Sequence, residues 1–170
     1  MSLGEALAES RRILASASIP DAEVEAPVLL MHATGMTREQ LYASLSDELT
    51  KTAKHALESA SQRRLRREPL PYITGHREFF GLDLLVDARV LIPRQETESL
   101  VARVIQIAKE RHGEACRIAD IGTGSGAIAV SLAVNLPEAA NSHDADLTIT
   151  VALCVCRLFK RMQHNYAGNN

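Results

Sequence analysis

Tryptophan is absent from this chain of 170 residues, aromatic residues make up only 4% of it, and there are three cysteines. Cys116, Cys154 and Cys156 form no C-x-x-C pair. A structural zinc site usually needs four ligands at recognisable spacings, so free buried thiols are expected and a metal site is not. Long hydrophobic runs are also missing. Ile118 to Leu136 is broken by Asp120 and several small residues, and Thr148 to Cys156 is too short to cross a bilayer, so no membrane span is expected. The opening Met1-Ser2-Leu3-Gly4-Glu5 has an acid where a secretory signal would have a basic region, which favours a cytoplasmic protein. A strong excess of one charge is lacking too. The net charge of −2 leaves no general footprint for direct DNA binding.

What is present, 46% apolar and 24% charged residues, suits one globular domain or two small ones. Residues 1–69 read as a small helical domain. Ser2 with Glu5, and Thr37 with Gln40, are capping-box pairs. Leu3, Leu7, Ile13 and Leu14 are expected to share one helix face, as are Leu41 and Leu45 on a later helix. A second helix is expected between Asp21 and Gly35. Pro27 inside that span moves the expected start toward Ala26, because proline fits the first turn, where its missing N–H matters least. A fourth helix is expected from Thr50 to Arg67. Each of these helices is too short to be stable alone. The basic run Arg63-Arg64-Leu65-Arg66-Arg67 at its end reads either as a solvated helix terminus favoured by the dipole or as a contact for an acidic or RNA-rich partner, such as a ribosome-associated one.

Pro69-Leu70-Pro71 is expected to end the helical part. Residues 70–138 then read as a linker, a β-hairpin and the start of an α/β domain. Residues Arg77 to Val86 carry apolar runs on both sides of Gly81, the hairpin pattern, with Phe79 and Phe80 in its core and His76 beside a turn without an assigned role. An extended stretch from Leu91 to Glu98 enters a helix with Leu100, Val101, Val104, Ile105 and Ala108 at helical spacing, stopped by Gly113. Cys116 to Ile121 reads as a strand, Gly122-Thr123-Gly124-Ser125-Gly126 as a turn, and Ala127 to Leu136 as a helix ended by Pro137.

A strand, a glycine turn and a helix N-terminus are where an α/β domain binds a nucleotide-like cofactor. The spacing here is G-x-G-x-G with Asp120 two residues ahead, rather than the G-x-G-x-x-G of dinucleotide binders, which favours S-adenosylmethionine. That cofactor has a sulfonium and an amino acid head but no phosphate. Glycines that permit close backbone approach and a carboxylate for its ammonium group are therefore what its site requires.

Three blocks make the pattern more specific: Tyr72 to Phe80, Leu91 to Glu98 with Pro93-Arg94-Gln95-Glu96-Thr97-Glu98 inside it, and Asp120 to Ala129. Together they resemble the HemK-type family of release factor glutamine N5-methyltransferases over about residues 1–138. The resemblance implies an α/β fold, in which a small N-terminal helical domain that helps dock the release factor precedes a class I, Rossmann-like methyltransferase domain. It implies S-adenosylmethionine as cofactor and methylation of the glutamine amide in the Gly-Gly-Gln motif of peptide chain release factors. Asp120, Gly122, Thr123, Gly124, Ser125 and Gly126 would line the cofactor, with Arg94 and Thr97 approaching from the side. Read without the family, Arg94, Glu96 and Glu98 are the charged first turn of a helix.

Beyond residue 138 the resemblance stops. The family continues into a strand that ends in an acid for the ribose hydroxyls, whereas Asp144 and Asp146 precede the apolar run from Leu147 to Phe159 and do not fit that place. The family's Asn-Pro-Pro-Tyr, which fixes the amide to be methylated, does not occur in the sequence, and no residue is assigned a catalytic role. The expectation is a truncated or frameshifted product with a divergent tail over residues 139–170 and impaired activity. The alternative is a non-catalytic module that binds a release factor or a ribosome-associated partner.

Overall fold

The computed structural model describes residues 1–110, 117–136 and 148–152. It divides the chain into two compact units, Met1–Gly75 and His76–Asn170, each with its own apolar cluster.

The first unit is helical: α1 (Leu3–Ser16), α2 (Ala22–Thr34), α3 (Arg38–Ala43), α4 (Lys51–Leu65) and α5 (Leu70–Thr74). Both capping boxes form. The Ser2 hydroxyl accepts from the Glu5 N–H at 3.1 Å while the Glu5 carboxylate accepts from the Ser2 N–H at 2.8 Å, and Thr37 and Gln40 do the same ahead of α3. α1 buries Leu3, Ala6, Leu7, Ser10 and Leu14. Ile13 does not join them. At 100° per residue it follows Ala6 and Ser10, and with them it lines an open groove of about 290 Å³ facing Leu57 of α4.

α2 is the helix around which the unit is built, packing against α1, α3, α4 and α5. Its start is Ala22, not the vicinity of Ala26, and Pro27 lies inside it. The proline forfeits the amide bond to the Glu23 carbonyl. Burial of Ala22, Ala26, Pro27, Leu29 and Leu30, together with ion pairs from Glu23 to Arg11 and from Glu25 to Arg64, holds the turn ahead of it. Gly35 closes the helix in the left-handed region at φ 71°.

The chain start is fastened to the loop after α3. The N–H groups of Leu3 and Gly4 donate to Asp47 and Leu45, and the Leu49 N–H donates to the Met1 carbonyl. A Cβ on Gly4 would lie 3.1 Å from the Leu45 carbonyl oxygen, so only glycine allows this approach without a shift.

The arginine run at the end of α4 is spent inside the unit. Arg63 forks onto Glu68 at 2.8 and 2.6 Å and donates to the Tyr72 and Ile73 carbonyls of α5. Arg64 forks onto Glu25 of α2, and Arg67 donates to the Ala17 and Ser18 carbonyls just past α1. Pro69-Leu70-Pro71 therefore does not end the helical part. Pro69 caps α5 and Pro71 sits in its first turn, where a missing N–H is tolerated, and the helical unit runs on to Gly75.

In the second unit β1 (His76–Phe79) and β2 (Leu82–Leu85) pair antiparallel, Phe79 opposite Leu82, around a two-residue turn. Phe80 and Gly81 both have positive φ, 53° and 75°, the pattern of a type I′ turn that usually selects Asn-Gly. A 3₁₀ turn (Gln95–Thr97) leads into α6 (Glu98–Glu110), which buries Val101 and packs Val104, Ile105 and Ala108 against Phe79, Leu84, Ala127, Leu132 and Leu136. Leu100, grouped with that stripe in the sequence, is 52% exposed.

β3 (Arg117–Ile121), α7 (Ala127–Asn135) and β4 (Thr148–Ala152) form a βαβ unit with β3 and β4 parallel, Arg117 opposite Thr148 and Ile121 opposite Ala152. The apolar run beginning at Leu147 thus has a described part, β4, that pairs with β3. Cys116, Gly113, Pro137, Asp144, Asp146, Leu153 to Phe159, Cys154 and Cys156 lie outside the described residues. No helix among the described residues is long and apolar enough to cross a membrane.

Replacing Ser2 by Ala removes one half of the α1 capping box and is expected to lower stability by about 1 kcal/mol. A thermal midpoint unchanged within error would show that Glu5 alone holds the helix start. The Arg63 fork, with a smaller contribution from the charge of Arg66, holds the Glu68 carboxyl below the usual carboxylate range. Its stabilising effect is therefore fully present above that usual range and is lost as pH falls through the lowered value. Melting the Glu68→Gln variant across acid pH should give a shallower pH dependence than the parent chain, and parallel curves would contradict this.

Candidate functional site

The glycine turn joins β3 to α7. β3 delivers Asp120 and Ile121 to its C-terminal end, the usual ligand side of an open parallel sheet. Gly122 and Gly126 bracket the turn with φ of 78° and 79°, a backbone conformation costly for any residue with a Cβ. The Gly126 N–H closes on the Thr123 carbonyl at 2.8 Å. Gly126 is also the N-cap of α7 and provides no side-chain acceptor, so the first amides of α7 remain available to an anionic group. Among the described residues, a Cβ built on Gly122 would meet nothing within 4 Å, and one on Gly124 only the Gly122 carbonyl at 3.9 Å, so none of them crowds the turn.

Two polar atoms at the turn stand out. The Oδ2 of Asp120 and the Oγ1 of Thr123 are buried and have no hydrogen-bond partner among the described residues, and Thr123 is only 8% exposed. Buried polar atoms in proteins are nearly always bonded, and an unpaired one costs roughly 1–3 kcal/mol. A turn with two such atoms suits a ligand that brings a hydrogen-bond donor. A carboxylate oxygen accepts from an ammonium group, a hydroxyl serves either role, and free helix amides receive a carboxylate, which are the needs of an amino acid head group. Ser125 is half-buried beside them, and Ile121 is 84% exposed between Asp120 and Gly122. A third orphan, the hydroxyl of Ser131, is fully buried one turn into α7; sequence reasoning missed it, since a serine in a helix pattern carries no signal of its own.

Arg94 and Thr97 are placed at the 3₁₀ turn ahead of α6, Arg94 exposed and Thr97 half-buried. No hydrogen bond or ion pair among the described residues joins their side chains to residues 120–126. Glu96 and Glu98 occupy the opening turns before and at the start of α6, where acids are favourable. His76, without an assigned role in the sequence, pairs with Asp83 across the hairpin at 2.8 Å. The β1–β2 register is what brings these two residues together, and it is not visible before the turn type is known. No cluster of three or more metal-ligating side chains occurs among the described residues.

The arginine run is largely bonded within the helical unit. Three of its four guanidinium groups are committed to Glu68, Glu25 and backbone carbonyls, and Arg66 is the exposed member for which no such bond is seen among the described residues.

Comparison with known proteins follows the same division. Residues 5–75 match the PrmC N-terminal domain family, a span that ends where the helical unit ends. Curated proteins named release factor glutamine methyltransferase are similar across both units. The protein of Moorella thermoacetica is 46% identical over 82% of this chain and 48% of its own length, that of Koribacter versatilis 40% over 81% and 49%, and that of Haemophilus influenzae 41% over 76% and 45%. The chain is therefore an α/β protein in which a small helical domain precedes a partial, Rossmann-like methyltransferase region. It is similar to release factor glutamine methyltransferases over most of its own length, and it spans about half the length of the curated relatives it matches.

The orphaned hydroxyl gives a direct test on the ligand-free chain. Thr123→Val keeps the shape and removes an unpaired polar atom, so it should raise stability by about 1 kcal/mol, read as a higher denaturant midpoint at unchanged slope. A lower midpoint would show that the hydroxyl is bonded in solution.

Proposed function

We propose that this chain binds S-adenosylmethionine at the turn Gly122-Thr123-Gly124-Ser125-Gly126 and descends from enzymes that methylate the glutamine amide in the Gly-Gly-Gln motif of peptide chain release factors. The observation that carries the proposal is the pair of buried, unpaired oxygens on Asp120 and Thr123 at a G-x-G-x-G turn. Its substrate half is supported by the printed names of the relatives. A substrate that belongs to translation termination places the proposed action in the cytoplasm.

Bound S-adenosylmethionine supplies an electrophilic methyl group on a sulfonium sulfur. Asp120 holds the ammonium of the methionine moiety, directly or through water, and the first amides of α7 face its carboxylate. The backbone at Gly122 and Gly124 admits the cofactor closely, because no Cβ stands in the way. Arg94 and Thr97 are assigned to the flank of this site on the family pattern alone.

An amide nitrogen is a poor nucleophile, since its lone pair is delocalised into the carbonyl, and a methyltransferase must fix and aim it. The family's Asn-Pro-Pro-Tyr, which does this, is not in the sequence. Cofactor binding with little or no turnover on a release factor is therefore the behaviour proposed for this chain by itself.

Isothermal titration with S-adenosylmethionine tests the binding, and mass spectrometry of the Gly-Gly-Gln peptide from a release factor incubated with the chain and cofactor tests the turnover. Binding is expected, and Asp120→Asn should weaken it about tenfold by removing the charge from the bond to the ammonium. Tighter binding of NAD than of S-adenosylmethionine would replace the proposal with a dinucleotide site.

A further inference from the structure

Among the described residues, Arg11, Arg63, Arg64 and Arg77 are half-buried arginines. The first three each meet a carboxylate: Arg11 that of Glu23 at 3.0 Å, Arg63 that of Glu68 at 2.6 Å and Arg64 that of Glu25 at 2.5 Å. Arg77 does not. Its Nε is buried without a hydrogen-bond partner, and no hydrogen bond or ion pair to its guanidinium is found among the described residues.

The period of the strand sets where this side chain lies. His76 and Glu78 are exposed, whereas Arg77 falls on the other face of β1 with Phe79. The register puts Arg77 opposite Leu84 and Phe79 opposite Leu82. Phe79 and Leu84 are 1% and 5% exposed in the apolar cluster of the second unit, and Leu82 packs against it. Arg77 is thus the charged member of a face whose other three members are apolar, at the open end of the hairpin, away from Phe80 and Gly81. The acids close to it in sequence are committed elsewhere. The Glu78 carboxylate accepts from the Gly81 N–H at 2.7 Å, Asp83 pairs with His76 at 2.8 Å, and Asp87 accepts from Arg89 at 2.9 Å.

A guanidinium held against apolar side chains is costly without a counter-ion, and its planar fork matches a carboxylate, which returns two parallel hydrogen bonds and a single negative charge. A phosphate would bring surplus charge that nothing on this face neutralises. The side chain is half-buried rather than enclosed, so a ligand can reach it from solvent. We propose that the open end of the β1–β2 hairpin is a carboxylate-binding site in which Arg77 holds the ligand. The carboxylate comes from a free small acid or from an acidic side chain of a polypeptide, and the recognition chemistry is the same for both. The assignment is separate from the glycine turn and does not depend on cofactor binding or on methyl transfer.

NMR of the arginine Nε–H groups in the full, isotope-labelled chain tests the site without any variant, with chloride replaced stepwise by acetate at constant ionic strength and no cofactor present. The Arg77 signal should move to a plateau with a dissociation constant in the millimolar range, while the exposed Arg94 and Arg103 drift without one. N-acetylglutamate amide, with N-acetylglutamine amide as its uncharged control, separates the two sources: a plateau with the acid and none with the control assigns the site to acidic side chains, and a plateau with acetate alone assigns it to free small acids. Arg77→Lys, which keeps the charge and loses the fork, should weaken the acetate effect on the backbone amides of residues 76–79 about tenfold. No plateau at Arg77 with any of these acids, an equal one at Arg94, or tighter binding of inorganic phosphate than of acetate would overturn the proposal.

Discussion

Arg64 and Glu25 meet in a forked ion pair at 2.5 and 3.1 Å with side chains only 14% and 12% exposed, and the helical unit is arranged around that contact. Taking two charges out of water is unfavourable unless the geometry satisfies both partners, and here it does. The pair ties the first turn of α2 to the last turn of α4. Because α2 packs against every other helix of the unit, whatever fixes α2 fixes the rest. Arg67 and Arg63, on either side, extend the same chemistry to α1 and α5. A run of like charges that reads as a solvated helix end is consumed almost entirely in satisfying carbonyls and carboxylates that short helices leave open.

Much of the architecture was legible in the residues because local and tertiary preferences agree. Ser2 with Glu5 and Thr37 with Gln40 mark helix starts that form at those residues. The glycine turn was legible for the same reason: a strand, three alternating glycines and an apolar helix each require their neighbour. The misplacements come from contacts that are distant in sequence. Pro27 looked like a helix start until the burial of Ala22 and Ala26 and the pairing of Glu25 with Arg64 outweighed the one amide bond it forfeits. Pro69 and Pro71 looked like a stop because the carbonyl support from Arg63, several residues earlier, is invisible to local rules.

Of the candidate site, the backbone was readable and the flank was not. Asp120 and the three glycines occupy the positions their pattern demands, whereas Arg94 and Thr97 sit at a 3₁₀ turn whose relation to the glycine loop no periodicity predicts. The unpaired state of Thr123 and Ser131 was equally out of reach, since a hydroxyl shows its lack of a partner only when its surroundings are known. The same surroundings distinguish a turn that could be merely structural from one with unmet hydrogen-bonding capacity.

The hairpin tip of the second unit has a kinetic meaning. Phe80 occupies a left-handed position that asparagine or glycine would fill at lower cost, and its ring is packed on the cluster around Phe79 and Val101. Local preference thus opposes the turn and tertiary packing enforces it. A hairpin whose turn is enforced by packing on its unit's apolar cluster is expected to form with, rather than before, the longer-range contacts of that cluster.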